Sequence, residues 1–233
     1  MFDHGLEHCP SFISSQVQFV EGLEPATSKN VRRAVTISRQ AGCGALAVAG
    51  KLAHYLDAHP AADTRPWKVF DSNLIDKALA DHDLPACLAK FFREDRASQL
   101  EDLMVDVFDV RPPAATVLKH IAETVHNLAS TGNVILIGRG GNILAAKMPH
   151  VLHVRLVAPL EKRIEHCVEA YHMTHAQAGK FCPDEDHARK RYFKKYFNAD
   201  IDDPLLYHMI INTGSVSYDD TARIIGDAVL KID

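Results

Sequence analysis

Hydrophobic positions along the chain come in short, nearly unbroken runs separated by stretches of helical period. Ala34–Ser38 and Val134–Ile137 are apolar, β-branched runs of strand length. Val151–Val157 alternates about Leu152, Val154 and Leu156, and His208–Asn212 closes the series. Lys68–Asp71 reads as a further short strand ending in an acid. Between them, apolar residues recur every three or four positions, the signature of helices packed by one face. Ala45–Ala58 carries Leu46, Ala49, Ala53 and Leu56 at that spacing, and Leu74 to Leu79 begins another such segment.

Residues 84–131 show no strand signal; Leu100 to Phe108 marks one helix, and Val117 to Leu128 marks another beyond Pro112-Pro113. After Val157, Pro159 opens a helix to about Met173. Pro183 then predicts a break between a helix near Thr174–Phe181 and one near Asp184–Phe197. Asp219–Leu230 is the closing helix. The alternation implies an α/β fold with a parallel sheet covered on both faces. A helical insertion over 84–131 and a lid over about 174–203 are expected within one domain of residues 31–233. Residues 1–30 precede the first strand as an arm, with Phe12, Ile13, Val17, Phe19 and Val20 at amphipathic spacing. It either packs on its own domain or serves in docking, and a homodimer is one expected arrangement.

Composition narrows the class without deciding the chemistry. The 233 residues, 47% of them hydrophobic, suffice for a substantial core. A net charge of −4 argues against a nucleic-acid partner. Five widely spaced cysteines with no C-x-x-C fit a reducing compartment. No apolar run is long enough for a membrane span, so a cytoplasmic location is expected. The 14 histidines are scattered, and Cys182 and His187 are poorly spaced for zinc, so no metal site is expected.

Chemistry concentrates where strands end. Val35-Thr36-Ile37-Ser38-Arg39 runs into Gln40-Ala41-Gly42-Cys43-Gly44 and then an Ala/Leu-rich helix. A strand, a Gly-x-Gly turn and a helix N-terminus together present backbone N–H groups and a partial positive charge to an anion. Ser38, Gly42, Cys43, Gly44 and Ala45 are therefore the expected nucleotide-phosphate loop. A complete phosphate loop places Lys and then Ser or Thr after its last glycine; here Ala45, Leu46 and Ala47 follow Gly44. Gly42/Gly44, Asp71 and Gly138-Arg139 each follow a strand, so they should share the rim where parallel sheets bind ligands.

In order along the chain, several segments resemble the cytidylate kinase-like branch of the P-loop nucleoside monophosphate kinases. They are Val35–Arg39 with Gly42-Cys43-Gly44; Val69-Phe70-Asp71; Ile135–Gly140; Val151–Leu156 with Arg163; Asp186, Arg189, Tyr192–Lys194 and Tyr196; and Asp203-Pro204, Tyr207 and Ile211–Thr213. The resemblance spans about 34–230. It implies a three-layer P-loop NTPase-type fold, a mobile lid, and transfer of the ATP γ-phosphoryl group, with Mg²⁺, to a nucleoside monophosphate such as CMP or dCMP. It implies Arg139 as the acceptor-phosphate arginine, and Arg163 and Arg189 as lid cations. Arg39 either replaces the missing lysine or pairs within the fold. Asp71 either faces the acceptor or a metal-bound water, or caps the following helix. The chain departs from the branch at Ala45-Leu46, where the branch reads Gly-Gly-Arg. The alternative reading is thus a catalytically silent nucleotide-binding or protein-interaction module.

Overall fold

The computed structural model describes residues 33–60, 65–71 and 114–232, with 114–121 described by backbone alone. The expected arm, the helix from Leu74 and the first part of the helical insertion lie outside the described residues. The elements are β1 (Ala34–Arg39), α1 (Ala45–Ala58), β2 (Lys68–Phe70), α2 (Ala114–Thr131), β3 (Val134–Ile137) and α3 (Gly141–Leu144). They continue as β4 (Val151–Val157), α4 (Leu160–Tyr171), α5 (His175–Phe197), a 3-10 turn (Pro204–Leu206), β5 (Met209–Asn212) and α6 (Tyr218–Val229).

The five strands form one parallel sheet in the order β2-β3-β1-β4-β5. Strands near the middle are buried on both faces; β3 is apolar throughout, whereas β1 and β4 carry polar residues on one face. One face is hydrocarbon. Val35, Ile37, Ile135, Val154 and Leu156 pack there against Val48, Leu52 and Leu56 of α1 and Ile225 and Val229 of α6. The buried stripe of α1 is Ala45, Val48, Ala49, Leu52 and Leu56. Leu46, expected on the packed face, is instead 54% exposed, because it lies about 100° around the helix from Ala45 and off that stripe.

α5 departs from expectation more clearly. It is one helix of 23 residues that runs through Pro183. Proline removes one helical hydrogen bond and disfavours helix in the residue before it, but both halves are held in place. Ala178 and Cys182 pack with Ile164 and Cys167 of α4, while Tyr192 and Phe193 pack with Ile201. A capping box at Thr174 and Gln177 starts the helix, and Asn198 in the left-handed region ends it.

The other face of the sheet is partly polar. Thr36 and Ser38 of β1 stand opposite His153 and Arg155 of β4 in register, and all four are buried. Thr36 Oγ1 lies 2.7 Å from His153 Nδ1, and the His153 ring stacks on His208 at 4.8 Å. Burial, and then the neighbouring His208, push His153 down from 6.5 to about 4. The folded protein thus keeps this imidazole neutral, whereas the unfolded chain protonates it below pH 6.5. Its contribution is fully present above 6.5 and is lost as pH falls toward 4. Each pH unit over which only the unfolded chain takes up this proton costs about 1.4 kcal/mol. Stability is therefore expected to fall by about 2 kcal/mol between pH 7.5 and 5.0. Urea melts at the two values check this, and His153→Gln should flatten the difference. A slope unchanged by that substitution would remove His153 as its source.

Candidate functional site

Because all strands are parallel, the segments that follow them share one edge of the sheet. Arg39–Gly44, Asp71 and Gly138–Gly140 all lie along that rim. The turn after β1 is fixed by Gln40, whose N–H donates to Leu156 O at 3.0 Å and whose Oε1 accepts from Ala158 N. Gly42 and Gly44 both have φ of +77°, which L-residues adopt only under strain. Gly44 is the N-cap of α1, with no side chain capping the first turn. Helix-start N–H groups without an internal partner suit an anion.

Ala45 is buried and Ala47 exposed, so neither lysine nor hydroxyl stands at the head of the helix. Burial pushes the Cys43 thiol up to about 11, so it stays protonated. Its carbonyl accepts from Thr213 Oγ1 at 2.9 Å, so Cys43 is tied in by its backbone.

Side chains from later in the chain close over this loop. Arg163 Nε donates to Ala158 O at 3.0 Å, and its Nη1 donates to Ala41 O at 3.1 Å and to Asp186 Oδ2 at 2.6 Å. Asp186 Oδ1 in turn accepts from Ala41 N–H at 2.7 Å. A carboxylate of α5 therefore occupies one backbone donor of the loop. Tyr218 covers the other end, where a Cβ on Gly44 would stand 2.2 Å from its ring. Its hydroxyl lies 3.2 Å from His166 Nδ1, and burial pushes it up to about 12.

Arg39, Arg163 and Arg189 meet along one cleft of ≈ 230 Å³ between the β1 turn and α5. Arg189 pairs with Glu185 at 3.1 Å and lies 3.6 Å from Asp186. The same cleft is lined by Arg155 and Lys190, two cations that sequence reasoning did not select. Arg155 had a visible signal, a charge within a strand of a parallel sheet, but its alternation with His153 reads equally as one solvated face.

Ser38 is engaged within the fold. It accepts from Arg155 Nη1 at 2.9 Å and lies 3.2 Å from the Tyr207 hydroxyl, which donates to Ile201 O.

Arg139 is not among the cleft-lining residues. It is buried in the turn after β3, where Gly138, Arg139 and Gly140 have φ of 83°, 59° and 66° in succession. A left-handed arginine is an unusual conformation, of the kind held in place at ligand-binding turns. Asp71 is half-buried at the end of β2 and also lies outside the cleft lining. Among the described residues no three His, Cys, Asp or Glu side chains group as metal ligands, and no helix is long and apolar enough to cross a membrane.

The sheet has a glycine turn after its central strand and arginines that approach that turn from α4 and α5, and a model of the cytidylate kinase-like family matches residues 34–215. The chain belongs to the cytidylate kinase-like family. A cytidylate kinase from Staphylothermus marinus is 26% identical over 145 residues, 60% of this chain and 78% of that enzyme. A uronate isomerase from Corynebacterium glutamicum is 29% identical over 96 residues, 41% of this chain but only 18% of the isomerase's length. Among solved structures, an uncharacterized protein from Eubacterium ventriosum superposes with a TM-score of 0.61 at 16% identity, covering 85% of this chain and 98% of that one. Family membership and fold agree: this is a nucleotide kinase-like α/β protein with helices on both faces of its sheet.

Proposed function

We propose that this member of the cytidylate kinase-like family transfers the γ-phosphoryl group of ATP to a nucleoside monophosphate, CMP or dCMP. The observation that carries this reading is the convergence of Arg39, Arg163 and Arg189 on one cleft beside the Gly42/Gly44 turn. Phosphoryl transfer asks the protein chiefly to position its reactants and neutralise charge. Single donors at such sites are worth roughly 3 kcal/mol each. The arginines would supply what Ala45 and Ala47 do not.

In this reading the backbone of Gly42–Ala45 cradles donor phosphates, and Arg163 and Arg189 close over them. Asp71 and Arg139 face the acceptor. Mg²⁺ enters as the counter-ion of ATP, held by phosphates and water, since no side-chain hydroxyl stands at the head of α1 and Mg²⁺ keeps several waters readily.

A second reading rests on its own observation. Asp186 sits on the Ala41 N–H and Tyr218 against Gly44, an arrangement equally suited to a nucleotide-binding module without turnover.

Turnover of ATP with Mg²⁺ against a panel of nucleoside monophosphates, with calorimetry in parallel, separates the two. Turnover with CMP or dCMP is expected, with kcat reduced at least 100-fold in Arg189→Ala and the acceptor KM raised in Arg139→Ala. Nucleotide binding without turnover favours the second reading, and neither binding nor turnover sinks both.

A further inference from the structure

We propose that Arg155, with Lys190, forms a separate oxyanion subsite in the cleft, one that seats a phosphoryl group in the place where Asp202 now bridges the two cations. This rests on the phosphotransfer reading only for the origin of the phosphoryl group.

Arg155 lies in β4, paired with Ser38 of β1 on one side and Ile210 of β5 on the other. Its residue exposure is 4%. A guanidinium buried in a central strand costs several kcal/mol unless its donors are met, so a purely structural position would favour an apolar residue. Here Nη1 donates to Ser38 Oγ at 2.9 Å, Nη2 donates to Asp202 Oδ1 at 2.5 Å, and the cation sits 5.6 Å from the centre of the Tyr207 ring. The guanidinium lines the cleft rather than being sealed beneath it.

Asp202 is a different kind of partner. It lies on the loop after α5, its side chain is 40% exposed, and its other oxygen is 2.6 Å from Lys190 Nζ. Burial alone would raise the Asp202 carboxyl, but Lys190 and Arg155 outweigh it and hold it below the usual range. One carboxylate with an oxygen on each cation reproduces the bridging contact that a phosphoryl group would make. The guanidinium is fixed by the sheet, whereas Lys190 and Asp202 both lie in solvent at the cleft's edge, the carboxylate on a loop. A ligand oxyanion would therefore displace Asp202, not Arg155. At ≈ 230 Å³ the cleft suits phosphoryl groups better than a whole nucleotide, since ligand pockets run from about 300 Å³ upward.

Calorimetric titration with inorganic pyrophosphate at low ionic strength tests this on the full chain. Arg155→Gln is expected to weaken binding at least tenfold, and Asp202→Asn to strengthen it several-fold by freeing both cations. A structural pair acting only through its field would give small opposite shifts that fade with added salt, so a tenfold loss in Arg155→Gln that persists at about 0.15 M salt marks direct contact, and its disappearance there overturns the subsite. Unchanged or weaker binding in Asp202→Asn overturns the proposal, as does a wild-type protein that binds no pyrophosphate. Should Arg155→Gln fail to fold, Lys190→Gln removes the exposed cation of the same pair; at least threefold weaker binding is expected, and unchanged binding overturns the subsite. The two readings fail separately. Opposite-sign effects on pyrophosphate without turnover of any nucleoside monophosphate keep the subsite and sink the kinase. Turnover with kcat and KM unaltered by Arg155→Gln keeps the kinase and sinks the subsite.

Discussion

Replacing Arg163 with alanine is expected to lower the melting temperature by roughly 10 °C and to abolish nucleotide binding. The side chain bonds at once to the Ala158 carbonyl just after β4, the Ala41 carbonyl in the glycine turn, and Asp186 of α5. Both members of the ion pair are largely out of solvent, at 8% and 18% side-chain exposure. Removing one partner of such a pair costs about 3 kcal/mol, because the other charge stays buried. For a domain of this size each kcal/mol moves the midpoint by roughly 2–4 °C. Lysine should not rescue, since a single ammonium cannot reproduce a planar fork that donates in several directions. Removing Asp186 as well, with Asp186→Asn in the Arg163→Ala background, should recover part of the loss. Thermal melts of the single and double variants check this. A single variant that melts within about 2 °C of wild type would show that the pair does not brace the turn.

Gly44→Ala is the second change with a large expected effect. The backbone at Gly44 has φ of +77°, and the added methyl carbon would lie 2.2 Å from Cζ and 2.4 Å from the hydroxyl of Tyr218. Left-handed strain costs about 1–2 kcal/mol. The clash adds to it, because the ring is held through its hydroxyl at His166 and edge-on against the His166 ring. A total loss of about 3 kcal/mol is expected from these terms together. The clash depends on two residues and the strain on one, so a double-mutant cycle with Tyr218→Ala separates them. The pair should be less destabilising than the sum of its parts by more than about 1 kcal/mol. Strict additivity would mean that the ring does not rest on the turn.

The fold was largely legible in the sequence because the strands are short runs rich in β-branched residues that alternate with longer segments of helical period. β1, β3, β4 and α1 were expected within a residue or so of where they lie. The error at Pro183 has a local cause: proline's effect on its neighbour is visible in sequence, whereas the packing of Cys182 against α4 that overrides it is not. The phase of α1 misleads at Leu46 because alanines as well as leucines repeat along it, and the stripe that packs runs through Ala45, Val48 and Leu52 instead.

The site was legible in part. Arg39, Arg163 and Arg189 stand out in the sequence, and the cleft brings them together. Asp202 and Tyr218 do not, because what distinguishes them is partnership with Arg155 and Gly44, residues far away along the chain. His153 and Arg155 alternate with apolar residues, and only the covering of both sheet faces turns that alternation into a buried polar pair.

α5 also acts as a ruler. Asp186 reaches the turn after β1 through the Ala41 N–H, and Phe197 lies against Gly140 in the turn after β3. From 186 to 197 is about three turns of helix, which returns to the same side of the cylinder. Many substitutions between those positions would preserve this spacing. Adding or deleting a single residue would swing one contact by about 100° around the axis and leave one of the two turns without its partner. Over this stretch the protein can vary its composition across related sequences far more freely than its length.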